Sequence, residues 1–199
     1  MRLIAKDISC ERGGRLIFEG LSFTLEAGEL LELRGANGAG KSSLLRLIAG
    51  LNQSRSGTMV LEDAPPDSSV SELSHYIGHA DANKSALTLR QNLDFWAKFL
   101  GNGKVEHGLA AFDLDAIADD PARLLSSGQK RRLSLARLAV VSRPLWLLDE
   151  PTVGLDQNSV GKLNELLKTH LSEGGMALVA THADLDVKTK KHLTLKARA

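Results

Sequence analysis

Gly35-Ala36-Asn37-Gly38-Ala39-Gly40-Lys41-Ser42 lies between a leucine-rich run, Glu29 to Arg34, and a segment whose Leu44, Leu45, Leu47 and Ile48 recur at helical spacing. The stretch fits G-x-x-x-x-G-K-[ST], and a strand leading in with a helix leading out is the context that pattern needs. Glycines let the backbone curl so that its N–H groups face phosphate oxygens. The helix N-terminus adds partial positive charge. Lys41 is placed to neutralise β- and γ-phosphates, and Ser42 to hold Mg²⁺. Gly35, Ala36, Asn37, Gly38, Ala39, Gly40, Lys41, Ser42 and Ser43 form the candidate nucleotide-binding set.

A second chemical signal follows a second apolar run. Leu145-Trp146-Leu147-Leu148 ends in Asp149-Glu150. Ligands of parallel α/β sheets gather at the carboxyl ends of strands. Asp149 is therefore a candidate to hold Mg²⁺, directly or through water. Glu150, one residue on, is a candidate general base for an attacking water.

Outward from these points, helices and strands alternate. Leu16 to Phe18 and Leu21 to Leu25 read as strands parted by a turn at Glu19-Gly20. Strands are expected at 29–34, 58–61, 145–148, 176–180 and, weakly, 192–195. Helices are expected at 41–49, 127–141 and 157–171, with a helical stretch across 89–112 and a loop at 63–71. Alternation of this kind predicts an α/β fold with a mostly parallel sheet, antiparallel strands at the N-terminus and an inserted helical subdomain.

Composition excludes several classes. With 43% hydrophobic residues among 199, the chain can bury a core. A net charge of +1 gives no field that points to nucleic acid. The single cysteine, Cys10, allows no intrachain disulfide and reads as a small strand residue. No apolar run approaches the ~20 residues of a membrane span, so membrane work is expected to come through a partner.

Leu125-Ser126-Ser127-Gly128-Gln129 precedes a helix, Asp149-Glu150-Pro151-Thr152 is followed by Gly154-Leu155-Asp156, and Ala180-Thr181-His182 follows a strand. In this order the motifs resemble the ABC-transporter ATPases, over essentially the whole chain. The resemblance implies one ABC-type domain over 1–199, with a helical subdomain at approximately 84–138 that carries the signature motif. It implies a P-loop core that hydrolyses MgATP and a head-to-tail homodimer. In that dimer Ser126, Ser127, Gly128 and Gln129 act in trans on the partner's nucleotide. Asp156 belongs to the D-loop, and His182 senses γ-phosphate. Catalysis would then rest on Lys41, Glu150 and His182, and metal binding on Ser42 and Asp149.

Two positions depart from the family pattern. Where an aromatic usually stacks on adenine, spacing places Arg12. Two readings stand for it, a guanidinium stacked on the base and a solvated turn residue. Where a glutamine usually links Mg²⁺ to the transporter, counting back from Leu87-Thr88-Leu89 places His79, the coupling candidate. Nearby, Phe95, Trp96 and Phe99 cannot share one helical face, since neighbours lie about 100° apart. Two readings stand again, a partner-docking surface and the core of the inserted lobe.

Tyr76-Ile77-Gly78-His79, the compact length and the opening Cys10-Glu11-Arg12 with Leu21 to Leu25 resemble the ATPase subunit of the haem exporter of bacterial cytochrome c maturation. That implies integral membrane transporter partners and a peripheral position at the cytoplasmic face of the inner membrane. No haem is expected on this chain, which lacks Cys-x-x-Cys-His. A transporter ATPase for another cargo and a non-transport ABC ATPase are the alternatives. The latter usually carries coiled coils, a second ATPase domain or a basic surface.

Overall fold

The computed structural model describes residues 1–101 and 103–196. Asn102, inside the expected helical stretch, and the last three residues of the expected 1–199 domain lie outside the described residues. Two sheets form the frame. β1 (Arg2–Arg12), β2 (Arg15–Glu26) and β4 (Ser56–Glu62) make an antiparallel sheet of order β2-β1-β4. β5 (Ser74–Ile77), β6 (Leu145–Asp149), β7 (Met176–Ala180), β3 (Leu30–Arg34) and β8 (Lys190–Thr194) make a parallel sheet in that spatial order. The expected fold class is the observed one.

Two details depart from the sequence reading. β2 is one continuous strand, not two parted by a turn. Between the pairs Ile8↔Leu21 and Cys10↔Phe18, two steps on β1 match three on β2. The extra residue is a bulge, and Gly20 takes the positive φ of 65° there. Cys10 is, as expected, a small residue buried in a strand, here β1. β5 carried no strand signal, because its Ser74 and His75 are polar yet buried. His75 Nε2 lies 2.7 Å from the Val141 carbonyl, so burial leaves it partnered.

Side chains of the parallel sheet alternate between two cores, as the strand period of two requires. Trp146, Leu148, Ala177 and Val179 pack with Leu89, Leu93, Phe112 and Leu133 on one side. Leu145, Leu147, Met176 and Leu178 pack with Leu44, Leu45, Ile48 and β1 residues on the other. The helical layer consists of α2 (Leu89–Leu100), α3 (Val105–Ala111) and α4 (Ser127–Val140). α2 starts in a capping box, with Thr88 and Gln91 satisfying each other's backbone N–H. Its buried face is Leu89, Asn92, Leu93 and Ala97, while Phe95 and Phe99 remain 38% and 70% exposed. α1 (Lys41–Ile48) and α5 (Gln157–Ser172) pack on the parallel sheet and complete the fold.

Candidate active site

Four strands of the parallel sheet end at one edge, and each delivers a motif there. β3 runs into the 35–40 loop, β6 ends at Asp149, β7 leads to Thr181-His182, and β5 leads to Gly78-His79. The loop winds tightly. Gly35 has φ +139°, and a Cβ there would stand 2.4 Å from the Leu195 carbonyl oxygen. Gly40, at φ +100°, caps α1, and a Cβ would meet Ile17 Cγ2 at 2.6 Å. No L side chain fits either position without displacing its neighbours.

Lys41 is buried, and its Nζ donates to the Gly35 carbonyl at 2.7 Å and the Ala36 carbonyl at 3.3 Å. The ammonium is thus held under the loop by two carbonyl dipoles. Ser42 Oγ donates to Asp149 Oδ1 at 3.0 Å. Asp149 is 2% exposed, and its Oδ2 has no hydrogen-bond partner among the described residues. A buried carboxylate oxygen without a donor is costly. A hydroxyl next to it completes an all-oxygen pair of the kind hard cations prefer, so these residues fit Mg²⁺.

Glu150 sits at φ +47°, an αL position that costs a non-glycine residue about 1 kcal/mol or more. Pro151 follows and already disfavours the αR region for it. Its N–H donates to the Ala180 carbonyl at 2.7 Å, which ties it to β7. His182 Nε2 lies 3.7 Å from Glu150 Oε1, so the two residues meet across the ends of β6 and β7.

A cavity of about 360 Å³ opens over this edge. Asn37, Gly38, Gly40, Lys41, Ser42, Ser43, Asp149 and Glu150 line it together with Arg12 and His79. Ile17 lines it too and was missed; its only signal was an apolar residue near Arg12 in sequence. Arg12 reaches the cavity because β1 and β2 turn at Gly13-Gly14, with Arg12 opposite Arg15. Gly35 and His182 border an adjoining depression with Thr181 and Glu32. Ala36 and Ala39 belong to the loop but do not line the cavity.

The signature residues and Asp156 stand apart from it. Ser126 caps α4 in a capping box: Ser126 Oγ accepts from the Gln129 N–H at 3.3 Å, and Gln129 Oε1 from the Ser126 N–H at 2.9 Å. A Cβ on Gly128 would stand 3.1 Å from the Gly154 carbonyl, so the signature turn lies against the loop after β6. Asp156 caps α5 by accepting from the Ser159 N–H at 2.7 Å, and that hydrogen bond holds its carboxyl below the usual range.

A second cavity, of about 470 Å³, lies between the helical layer and the sheet edge. Trp96, Phe99, Leu51, Tyr76 and Arg137 are among its walls, and none of its lining residues is acidic. Among the described residues, His79 alone lines both cavities.

Comparison with known proteins agrees with this architecture. The family model for ABC transporters matches residues 18–153. A cytochrome c biogenesis ATP-binding export protein, CcmA, of Rhodopseudomonas palustris (strain HaA2) is 47% identical over 193 residues, covering 96% of each chain. The protein of that name from Paracoccus denitrificans (strain Pd 1222) is 47% identical over 196 residues, covering 98% of this chain and 90% of its own. Among solved structures, an ATP-binding subunit of an ABC transporter superposes with a TM-score of 0.86 at 24% identity, covering 100% of this chain and 89% of its own. The ATP-binding cassette MJ0796, a dimer in a post-hydrolysis state with ADP and Pi, gives 0.82 at 21%, covering 99% and 97%. The two structures show the shared fold, and the family match with the sequence relatives shows the lineage: this chain belongs to the ABC transporter family, among the cytochrome c biogenesis ATP-binding export proteins.

Proposed function

We propose that this chain is the MgATP-hydrolysing subunit of an export complex serving cytochrome c biogenesis, with haem as the cargo whose movement the hydrolysis drives. The observation that carries the reading is the meeting of Lys41, Ser42, Asp149 and Glu150 at one sheet edge, with a buried Asp149 oxygen left for a cation. Ser42 and Asp149 would hold Mg²⁺, which would supply charge neutralisation for the phosphates. Lys41 leaves its loop carbonyls for the phosphates. The loop N–H groups and the α1 N-terminus hold the remaining negative charge. Glu150 orients a water in line with γ-phosphorus and takes its proton as the new P–O bond forms. The bond to the β–γ bridging oxygen breaks, and ADP and phosphate leave. His182, across from Glu150, contacts γ-phosphate and reports its loss. Arg12 and Ile17 flank the adenine.

In this reading two copies pack head to tail. Ser126, Ser127, Gly128 and Gln129 of one copy close the partner's nucleotide, and Asp156 lies in the loop between the two sites. The capping box presents the signature turn with its polar atoms already oriented. Residues 84–138 act as a lobe that carries this turn. The cavity walled by Trp96 and Phe99 receives a cytoplasmic segment of the membrane subunits, and the exposure of Phe95 and Phe99 favours docking over lobe core. His79, shared by both cavities, couples that segment to the nucleotide. No described helix is long and apolar enough to cross a membrane, which suits a peripheral subunit at the cytoplasmic face of the inner membrane.

Complementation tests the cargo pathway. In a bacterium lacking its own copy of this subunit, the wild-type chain should restore c-type cytochromes, and Glu150→Gln should not. Normal cytochromes without this chain contradict the biogenesis role.

A further inference from the structure

Arg131 belongs to none of the motifs above, yet it is the most heavily bonded side chain near the site. It is 4% exposed on α4, two residues beyond Gln129. Its Nη2 donates to the carbonyls of Asp149 at 3.0 Å and Glu150 at 2.7 Å. Nε donates to the Pro151 carbonyl at 3.3 Å. Nη1 donates to the Gly78 carbonyl at 2.8 Å and to Asp81 Oδ1 at 3.3 Å. A guanidinium has five N–H donors in one plane, and these bonds use five acceptors.

We propose that Arg131 is a positioning residue: it fixes the backbone that aims the Glu150 carboxylate at water and ties that backbone to the segment 78–81 beneath the docking cavity. The proposal rests on Glu150 being the base. Three successive carbonyls, of Asp149, Glu150 and Pro151, turn toward one side chain. That convergence requires an unusual backbone, and Glu150 supplies it at φ +47°. Among the described residues, the other backbone hydrogen bonds of Glu150 run from its N–H to the Ala180 carbonyl and from the Val153 N–H to its carbonyl at 3.3 Å. The other two acceptors of Arg131 flank His79, the residue common to both cavities. A shift of residues 78–81 on partner docking therefore pulls on the same rigid plane that holds Glu150. Lysine cannot substitute, since an ammonium is a point donor and not a fixed fork.

A group that acts only through the aim of another should change turnover and spare binding. For the full-length chain, Arg131→Lys should keep ATP affinity within about threefold of wild type and lower kcat by roughly 10- to 100-fold. It should also lose most of the stimulation by the membrane subunits. The Arg131→Lys/Glu150→Gln double variant should be no slower than Glu150→Gln, because the aim of an absent carboxylate does not matter. Losses that multiply in the double variant, or weakened ATP binding with kcat intact, overturn the proposal. Near-wild-type turnover in Glu150→Gln alone overturns the base assignment, and the proposal with it. Should Arg131→Lys fail to fold, Asp81→Ala decides, since Asp81 is partly exposed and contributes one of the five acceptors. Several-fold lower kcat at unchanged ATP affinity supports the clamp, and wild-type kcat overturns it.

Discussion

Asp149 faces two demands at one buried position: one carboxylate oxygen is held by Ser42, and the other has no donor among the described residues. Asp149→Asn keeps an oxygen for Ser42 and removes the buried charge. Without Mg²⁺ the variant should melt at the wild-type temperature or above it, because a buried carboxylate with one oxygen lacking a donor is costly. The Mg²⁺-dependent gain in ATP affinity should fall roughly tenfold or more, as for damaged metal sites generally. Nucleotide titrations with and without Mg²⁺ check this, and an unchanged Mg²⁺ effect contradicts the assignment. Residues of this kind were legible because their chemistry is local: a Gly-rich loop with Lys-Ser, or an apolar run ending in Asp-Glu. Arg131 was not. It stands in Lys130-Arg131-Arg132, three cations in a row, and only the tertiary fold selects which one is buried. Arg12 was placed by spacing alone; it lines the cavity beside the loop, and stacking on a base there remains part of the proposal.

At the scale of elements, two buried histidines anchor secondary structure through backbone carbonyls. His75 joins β5 to Val141 at the end of α4. His170 joins α5 to Met176 at 3.1 Å and stacks on Trp146 with ring centroids 3.8 Å apart. Burial pushes both down to about 4 from the ordinary 6.5. Between those values the unfolded chain binds protons that the folded chain does not. The stabilisation is complete above about pH 6.5 and is lost as pH falls toward 4, by roughly 1.4 kcal/mol per pH unit for each histidine. Urea unfolding at pH 7 and pH 5 should show a lower midpoint at pH 5. His170→Phe keeps a ring against Trp146 and should flatten that dependence; an identical slope in the variant contradicts it. The same two elements mark where pattern reading succeeds and fails. α5 has a helical period and an Asp cap, so it was legible. β5 is four residues long, with polar residues whose burial depends on partners far away in sequence. β2 was split because a bulge and a turn both use a polar residue followed by glycine.

For the whole molecule, alternation of strands and helices was enough to predict the parallel sheet, since parallel neighbours require crossovers. The spatial order β5-β6-β7-β3-β8 was not legible, and it is this order that brings the ends of β3, β6 and β7 side by side. Nor did the sequence reveal that His79 borders both cavities. Counting back from Thr88 gave only the expectation that His79 takes the place of the family's glutamine. The parallel-sheet edge carries the 35–42 loop, Asp149 and Glu150 on one cavity and His79 on both, and in the proposed mechanism turnover depends on Glu150. The most direct measurement is single-turnover and steady-state ATP hydrolysis by Glu150→Gln beside ATP binding by the same protein. With Glu150 as the base, the variant should bind ATP like the wild type, trap a nucleotide-bound dimer and turn over roughly 10²- to 10⁴-fold more slowly. Hydrolysis at near-wild-type rate with the dimer still dissociating would contradict it.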